Sequence, residues 1–120
     1  MLMVAAGILT LTALAHSVLG ERYILRRLFR RADLPQLFGS DWFTRRTLRF
    51  AWHLTSIAWL GGAALLVALG SVRAPERALP LAVLAVTFAA HAVLTALASR
   101  GRHLAWITFA SVAALSWLAR

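Results

Sequence analysis

Hydrophobic residues run almost unbroken through 1–20, 50–70, 79–99 and 104–119, and nearly all of the arginine falls between these stretches. About 20 apolar residues make a helix long enough to cross a hydrocarbon layer of ~30 Å. A backbone deprived of water must bond to itself, and a helix meets that demand within one segment. The pattern predicts an all-α membrane protein, an antiparallel up-down bundle of four transmembrane helices forming one domain over 1–120.

Finer periodicities sit on this frame. Over 22–31, Ile24, Leu25, Leu28 and Phe29 fall on one helical face, with Arg22, Arg26, Arg27, Arg30 and Arg31 on the other. This predicts an amphipathic interfacial extension after helix 1, apolar side down and basic side toward headgroups. Anionic lipid attracts each such arginine by about 1 kcal/mol, although a plain topology anchor would have the same pattern. Pro35 is expected to end this helix and Ser40 or Asp41 to cap the next. Pro80 suits the first turn of the third helix, and Gly101 suits a left-handed close to it. Ala82, Ala85, Ala89, Ala92, Ala96 and Ser99 recur at steps of three and four, and Ala58 and Gly62 make a similar step. Membrane helices associate through such close backbone contact. The fourth stretch has only about 16 uncharged residues, ~24 Å of helix, which Arg102 and Arg120 extend by snorkelling.

Composition agrees: 61% of the 120 residues are hydrophobic, too many to hide inside a soluble fold of this size. With no cysteine, disulfides and thiolate metal sites are excluded. The 13 basic residues are all arginine, which suggests a GC-rich bacterial genome, and they face 4 acidic ones. A net charge of +9 would point to nucleic acid in a soluble protein. Position argues otherwise. Ten arginines (22, 26, 27, 30, 31, 45, 46, 49, 100 and 102) lie in the first and third connections, while Arg73, Arg77 and Arg120 lie opposite. Arginine is retained on the cytoplasmic side, so an inner-membrane protein with both termini outside is expected, without nucleic acid as a partner. Ala13-Leu14-Ala15 resembles a cleavage site, but no basic residue precedes the apolar run, as a signal peptide would require. A retained first helix is expected.

Candidate chemistry rests on four histidines. His16 lies four residues before Gly20-Glu21 and His53 four after Arg49, so both sit ~6 Å inside the cytoplasmic boundary. His91 lies about 13 Å deep by the same rise, and His103 is at the surface. Two imidazoles at one level on neighbouring helices make a candidate pair of ligands for b-type haem, with possible electron transfer. Ala13, Gly20 and Ser56 leave room for a ring, and His91 is a third candidate, or it bonds Thr87 and Thr95. A divalent metal held by His16, His53 and Glu21 is the other ligand reading, although Glu21 also suits ion pairing with Arg22, Arg26 or Arg27. Against both stands a plainer role, interhelical hydrogen bonding by His16, His53 and His91. Ionisable groups at membrane depth nevertheless tend to mark function.

No other motif carries chemistry. Ser17, Ser56, Thr55, Thr87, Thr95, Thr108 and Ser111 are expected to bond their own i−4 carbonyls. A Ser17–His16 or Ser56–His53 nucleophile would need an orienting acid and an oxyanion donor, and no pattern supplies them. Trp42, Trp52, Trp106 and Trp117 fall at the interfaces, and Trp59 falls mid-span. The expected role is therefore a histidine-lined intramembrane site near the cytoplasmic side. The alternative is a non-catalytic accessory or scaffold subunit that packs on a partner protein, a second copy, a larger membrane complex or anionic lipid.

AHSVLGE at 15–21 and WHLTSIAW at 52–59, separated by an arginine-rich loop, resemble motifs of a group of small bacterial four-helix integral membrane proteins. The resemblance would span essentially the whole chain. It implies the four-span topology, picks out His16, Glu21 and His53 as matching positions, and implies no activity.

Overall fold

The computed structural model describes all residues from 1 to 120; its regular structure is all helical, joined by non-helical connections over 29–41, 70–73 and 100–104, with an isolated bridge between Leu37 and Ser40. Helix α1 (Leu2–Leu19) continues without a break into a π-helical segment (Gly20–Leu25) and a short α2 (Arg26–Leu28). Helices α3 (Trp42–Leu69), α4 (Ala74–Ser99) and α5 (Ala105–Leu118) follow. Leu2–Leu28, Trp42–Leu69 and Ala74–Ser99 are long and apolar enough to cross a membrane, which marks the chain as a membrane protein. The fourth expected span corresponds to α5, a shorter apolar helix of 14 residues, or ~21 Å.

Several boundaries move for local reasons. The first helix stops at Leu28, well before Pro35: Phe29 flattens to ψ −1, and Arg30 and Arg31 make tightened bonds to the Arg27 and Leu28 carbonyls. The Arg45 guanidinium then donates to the Phe29 and Arg31 carbonyls, satisfying acceptors that a helix end leaves open. Helix α3 starts near Asp41, whose carbonyl accepts the Arg45 N–H at 2.9 Å. The Asp41 carboxylate binds the Arg45 side chain at 2.5 Å instead of the backbone amide expected of a cap. Helix α4 begins at Ala74, with Pro75 in its first turn, so Pro80 lies inside the helix. At Pro80 the missing N–H removes one bond to the carbonyl four residues back. The α4 terminus closes as expected at Gly101 (φ 74), joined there by Arg100 (φ 51).

Two compact units divide the chain. The first comprises Met1–Thr12 and Trp59–Arg120. Its core contains Leu2, Ala5, Leu9, Ala63, Leu66, Leu81, Phe88, Phe109 and Val112, with α4 packed on α5. Gly62 admits Leu9 and Phe88, whose side chains would lie 3.3 and 3.5 Å from an added Cβ. Of the alanine seam on α4, Ala85 and Ala92 are buried whereas Ala89 is exposed. The second unit, Ala13–Ala58, carries the end of α1, the π segment, the arginine-rich loop and the first half of α3. It positions the candidate site.

Candidate functional site at the basic end of the first and third helices

Within the second unit, side chains of α1 and the π segment meet those of α3 in descending order: His16 with Ser56, Ser17 with His53, Glu21 with Arg49. His16 Nδ1 and Ser56 Oγ share a hydrogen bond of 2.9 Å, and Ser17 Oγ and His53 Nδ1 share one of 2.5 Å. These are reciprocal histidine–serine pairs. Neither serine makes the i−4 bond expected of it, whereas Thr55 and Ser111 do, to Ala51 and Ile107. The reason is proximity: an imidazole nitrogen from the neighbouring helix is a better partner than a carbonyl already engaged in the helix.

Trp52 belongs to this packing. Its ring stacks on His16 at 4.4 Å with an interplanar angle of 3°, and its Nε1–H donates to the His16 carbonyl at 2.9 Å. The indole fits because residue 20 is glycine: a Cβ there would lie 2.2 Å from Trp52 Nε1. The room near His16 that small residues were expected to leave for a cofactor ring is therefore filled at Gly20 by an indole. Directly at Gly20 the helix widens to π geometry, closed by the Arg26 N–H donating to the Glu21 carbonyl. Such widenings are frequent at functional sites.

Glu21 is the hub of the charged layer. Arg49 reaches both of its oxygens at 3.2 Å, Arg26 approaches at 3.7 Å, and His53 Nε2 stands 3.5 Å from Oε2. The sequence pairs Glu21 with Arg26 and groups it with His53 as metal ligands but does not single out Arg49, because the spacing along one helix says nothing of which residues of another stand opposite. Ser17, Val18, Glu21, Arg22, Arg26 and His53 line an open cleft of about 360 Å³. Its charge is carried mainly by guanidinium, and the only carboxylate is already shared by two arginines.

Of the remaining expected site residues, Arg27, Arg30 and Arg31 lie outside the cleft lining, and Arg31 pairs instead with Asp33 at 2.5 Å. That pair holds the Asp33 carboxyl below its usual range, through the Arg31 hydrogen bond first. His91 lies in the first unit, beside Phe109, Phe88 and Trp59 at ring distances of 5.3, 5.7 and 6.3 Å. It bonds the Thr87 carbonyl at 2.8 Å and not the Thr87 hydroxyl, which donates to Val83. His103 Nδ1 accepts the Ala105 N–H at the start of α5. No three His, Asp or Glu side chains are grouped so as to hold a metal ion.

Comparison with protein-family models, with curated proteins and with solved structures gives no match for this chain. The functional reading therefore rests on the site itself.

Proposed function

We propose that this is a small multi-pass protein of the bacterial inner membrane, four spans in up-down order with both termini outside, and that the cleft binds an anionic phosphate group of a lipid. The observation that carries this reading is the charge of the cleft: Arg22 and Arg26 line it, together with the hydrogen-bonding groups of Ser17 and His53. Glu21, its one carboxylate, is neutralised by Arg49 and Arg26. Such a surface attracts anions and repels free cations. The level suits a headgroup, since apolar α1 gives way to Glu21-Arg22 there. The further arginines of 26–31 would hold the unit against anionic lipid, which makes the protein a lipid-docked accessory or scaffold subunit.

The test uses the full chain in mild detergent, titrated with dihexanoyl phosphatidic acid, dihexanoyl phosphatidylcholine and inorganic phosphate, with protection from thermal unfolding as the readout. Phosphatidic acid is expected to bind well ahead of phosphatidylcholine. Arg22→Ala and Arg26→Ala should each weaken it about fivefold, from ~1 kcal/mol per arginine. Equal protection by inorganic phosphate would identify a free anion as the ligand, and no preference among the three would refute the reading.

One observation favours a metal instead. His53 Nε2 and Glu21 Oε2 are separated by 3.5 Å with Ser17 on the other ring nitrogen, the kind of outer partner that orients a metal-binding imidazole. Elemental analysis of the same sample decides it. A haem held by His16 and His53 would give a Soret band lost in His16→Ala and His53→Ala. The indole lying flat on the His16 ring speaks for the anion.

A further inference from the structure

Ser17, His53 and Glu21 do more than line the cleft together: they stand in sequence, oxygen to nitrogen to nitrogen to oxygen. We propose that they form a nucleophile, base and orienting acid, and that Ser17 attacks the acyl-ester carbonyl of a lipid whose anionic headgroup occupies the cleft. For its substrate class this rests on the lipid reading above; the relay itself rests on geometry.

Ser17 Oγ lies 2.5 Å from His53 Nδ1, and His53 Nε2 lies 3.5 Å from Glu21 Oε2. Arg49, at 3.2 Å from each carboxylate oxygen, holds Glu21 in place. A carboxylate beside Nε2 selects the tautomer with the proton on that nitrogen, which leaves the Nδ1 lone pair to accept the Ser17 O–H. In hydrolytic triads the acid plays this part, and such triads are recognised by geometry and role, not by chain order. The longer histidine–carboxylate contact is of the kind that tightens when substrate binds. All three side chains line the same cleft, Val18 gives it an apolar wall, and Arg22 and Arg26 bring positive charge to it. Phospholipid ester bonds lie between the hydrocarbon and the headgroup, the level at which α1 turns from apolar to charged.

The chemistry balances without any further cofactor. Ser17 Oγ forms a bond to the acyl carbon as its proton passes to His53 Nδ1. The ester C–O bond breaks, and the departing glycerol oxygen takes that proton. Water then attacks the acyl-serine, giving a proton to Nδ1; the acyl–Oγ bond breaks, and Ser17 recovers the proton as a fatty acid leaves. Ser17 and His53 are the catalytic residues, and Glu21 is a positioning residue.

The experiment treats the detergent-solubilised full chain with a fluorophosphonate probe and locates the adduct by peptide mass spectrometry. A single adduct on Ser17 is expected, lost in Ser17→Ala and slowed at least a hundredfold in His53→Gln, the scale of general-base catalysis. Glu21→Gln should slow labelling while Glu21→Asp restores much of it, which a purely structural role for the carboxylate would not produce. Helix content by circular dichroism is matched across the variants. Absence of a Ser17 adduct in the unmutated protein overturns the relay, as does an adduct whose rate ignores both His53→Gln and Glu21→Gln. Phosphatidic acid binding is measured on the same preparation. Binding without an adduct overturns the relay alone, whereas a His53-dependent adduct without anionic preference supports the relay and overturns the lipid-phosphate reading.

Discussion

Replacing Gly20 with alanine adds one methyl group, and the structure says where it goes: 2.2, 2.4 and 2.5 Å from Nε1, Cε2 and Cζ2 of Trp52. No carbon can stay at those distances, so the indole must leave. With it go the hydrogen bond to the His16 carbonyl and the stack on the His16 ring. A hydrogen bond contributes about 1 kcal/mol net and a stacked aromatic pair about 1 kcal/mol beyond its area. Intrinsic helix preference runs the other way, alanine over glycine by up to ~1 kcal/mol. The net is a loss of about 1 kcal/mol, roughly a fivefold change in the folding equilibrium, in a substitution that propensity alone would score as stabilising. The assay is unfolding of the full chain in mixed micelles by added dodecyl sulfate, followed by circular dichroism. Gly20→Ala is measured in the native background and again in Trp52→Ala, where the methyl group meets no ring. The steric account requires the penalty to vanish in the second background. A Gly20→Ala protein at least as stable as the original, or an equal penalty in both backgrounds, would refute it.

Other outcomes follow from single contacts. Arg45→Ala removes the guanidinium from the Phe29 and Arg31 carbonyls and from Asp41, so limited proteolysis should cut within 29–41 markedly faster, with the apolar helices unaffected. The Asp41 carboxyl is held below its usual range, first by the Arg45 hydrogen bond. A depressed carboxyl stabilises above its unfolded value of about 3.9 and loses that effect as pH falls through the lower folded one. Amide protection of the 29–41 loop should therefore be flat from neutrality to about pH 5 and drop below about pH 4, and protection unchanged at pH 3 would count against the clamp. Gly101→Ala forces a side chain into φ 74 and should destabilise the α4–α5 turn by about 1–2 kcal/mol in the same micelle assay.

Much of this architecture was readable from one chain because its causes are local. Uncharged runs gave the helices, and Gly101 announced a left-handed close. Boundaries were less legible: Pro80 looked like a helix start, but Pro75 already filled that role, and Pro35 looked like a stop when Arg45 had ended the helix several residues earlier. The site was half legible. His16, Glu21 and His53 stood out as costly groups at the edge of an apolar run. Ser17, Trp52 and Arg49 did not, since a helical serine ordinarily bonds its own turn, a tryptophan near a boundary ordinarily marks an interface, and one arginine among many carries no signal. Ser17 and Glu21, one helical turn apart, put an acid near a serine, but only the fold brings His53 to both.

What the order of residues determined by itself was the solvent and the secondary structure. The free energy of placing a charge or an unpaired amide in hydrocarbon depends on residue type and spacing, and both can be counted along the chain. Which imidazole met which hydroxyl, and that Glu21 answered to Arg49 and His53, only the tertiary structure decided. Those pairings depend on the rotation and register of one helix against another, which the close approach of the Trp52 indole to Gly20 helps to fix.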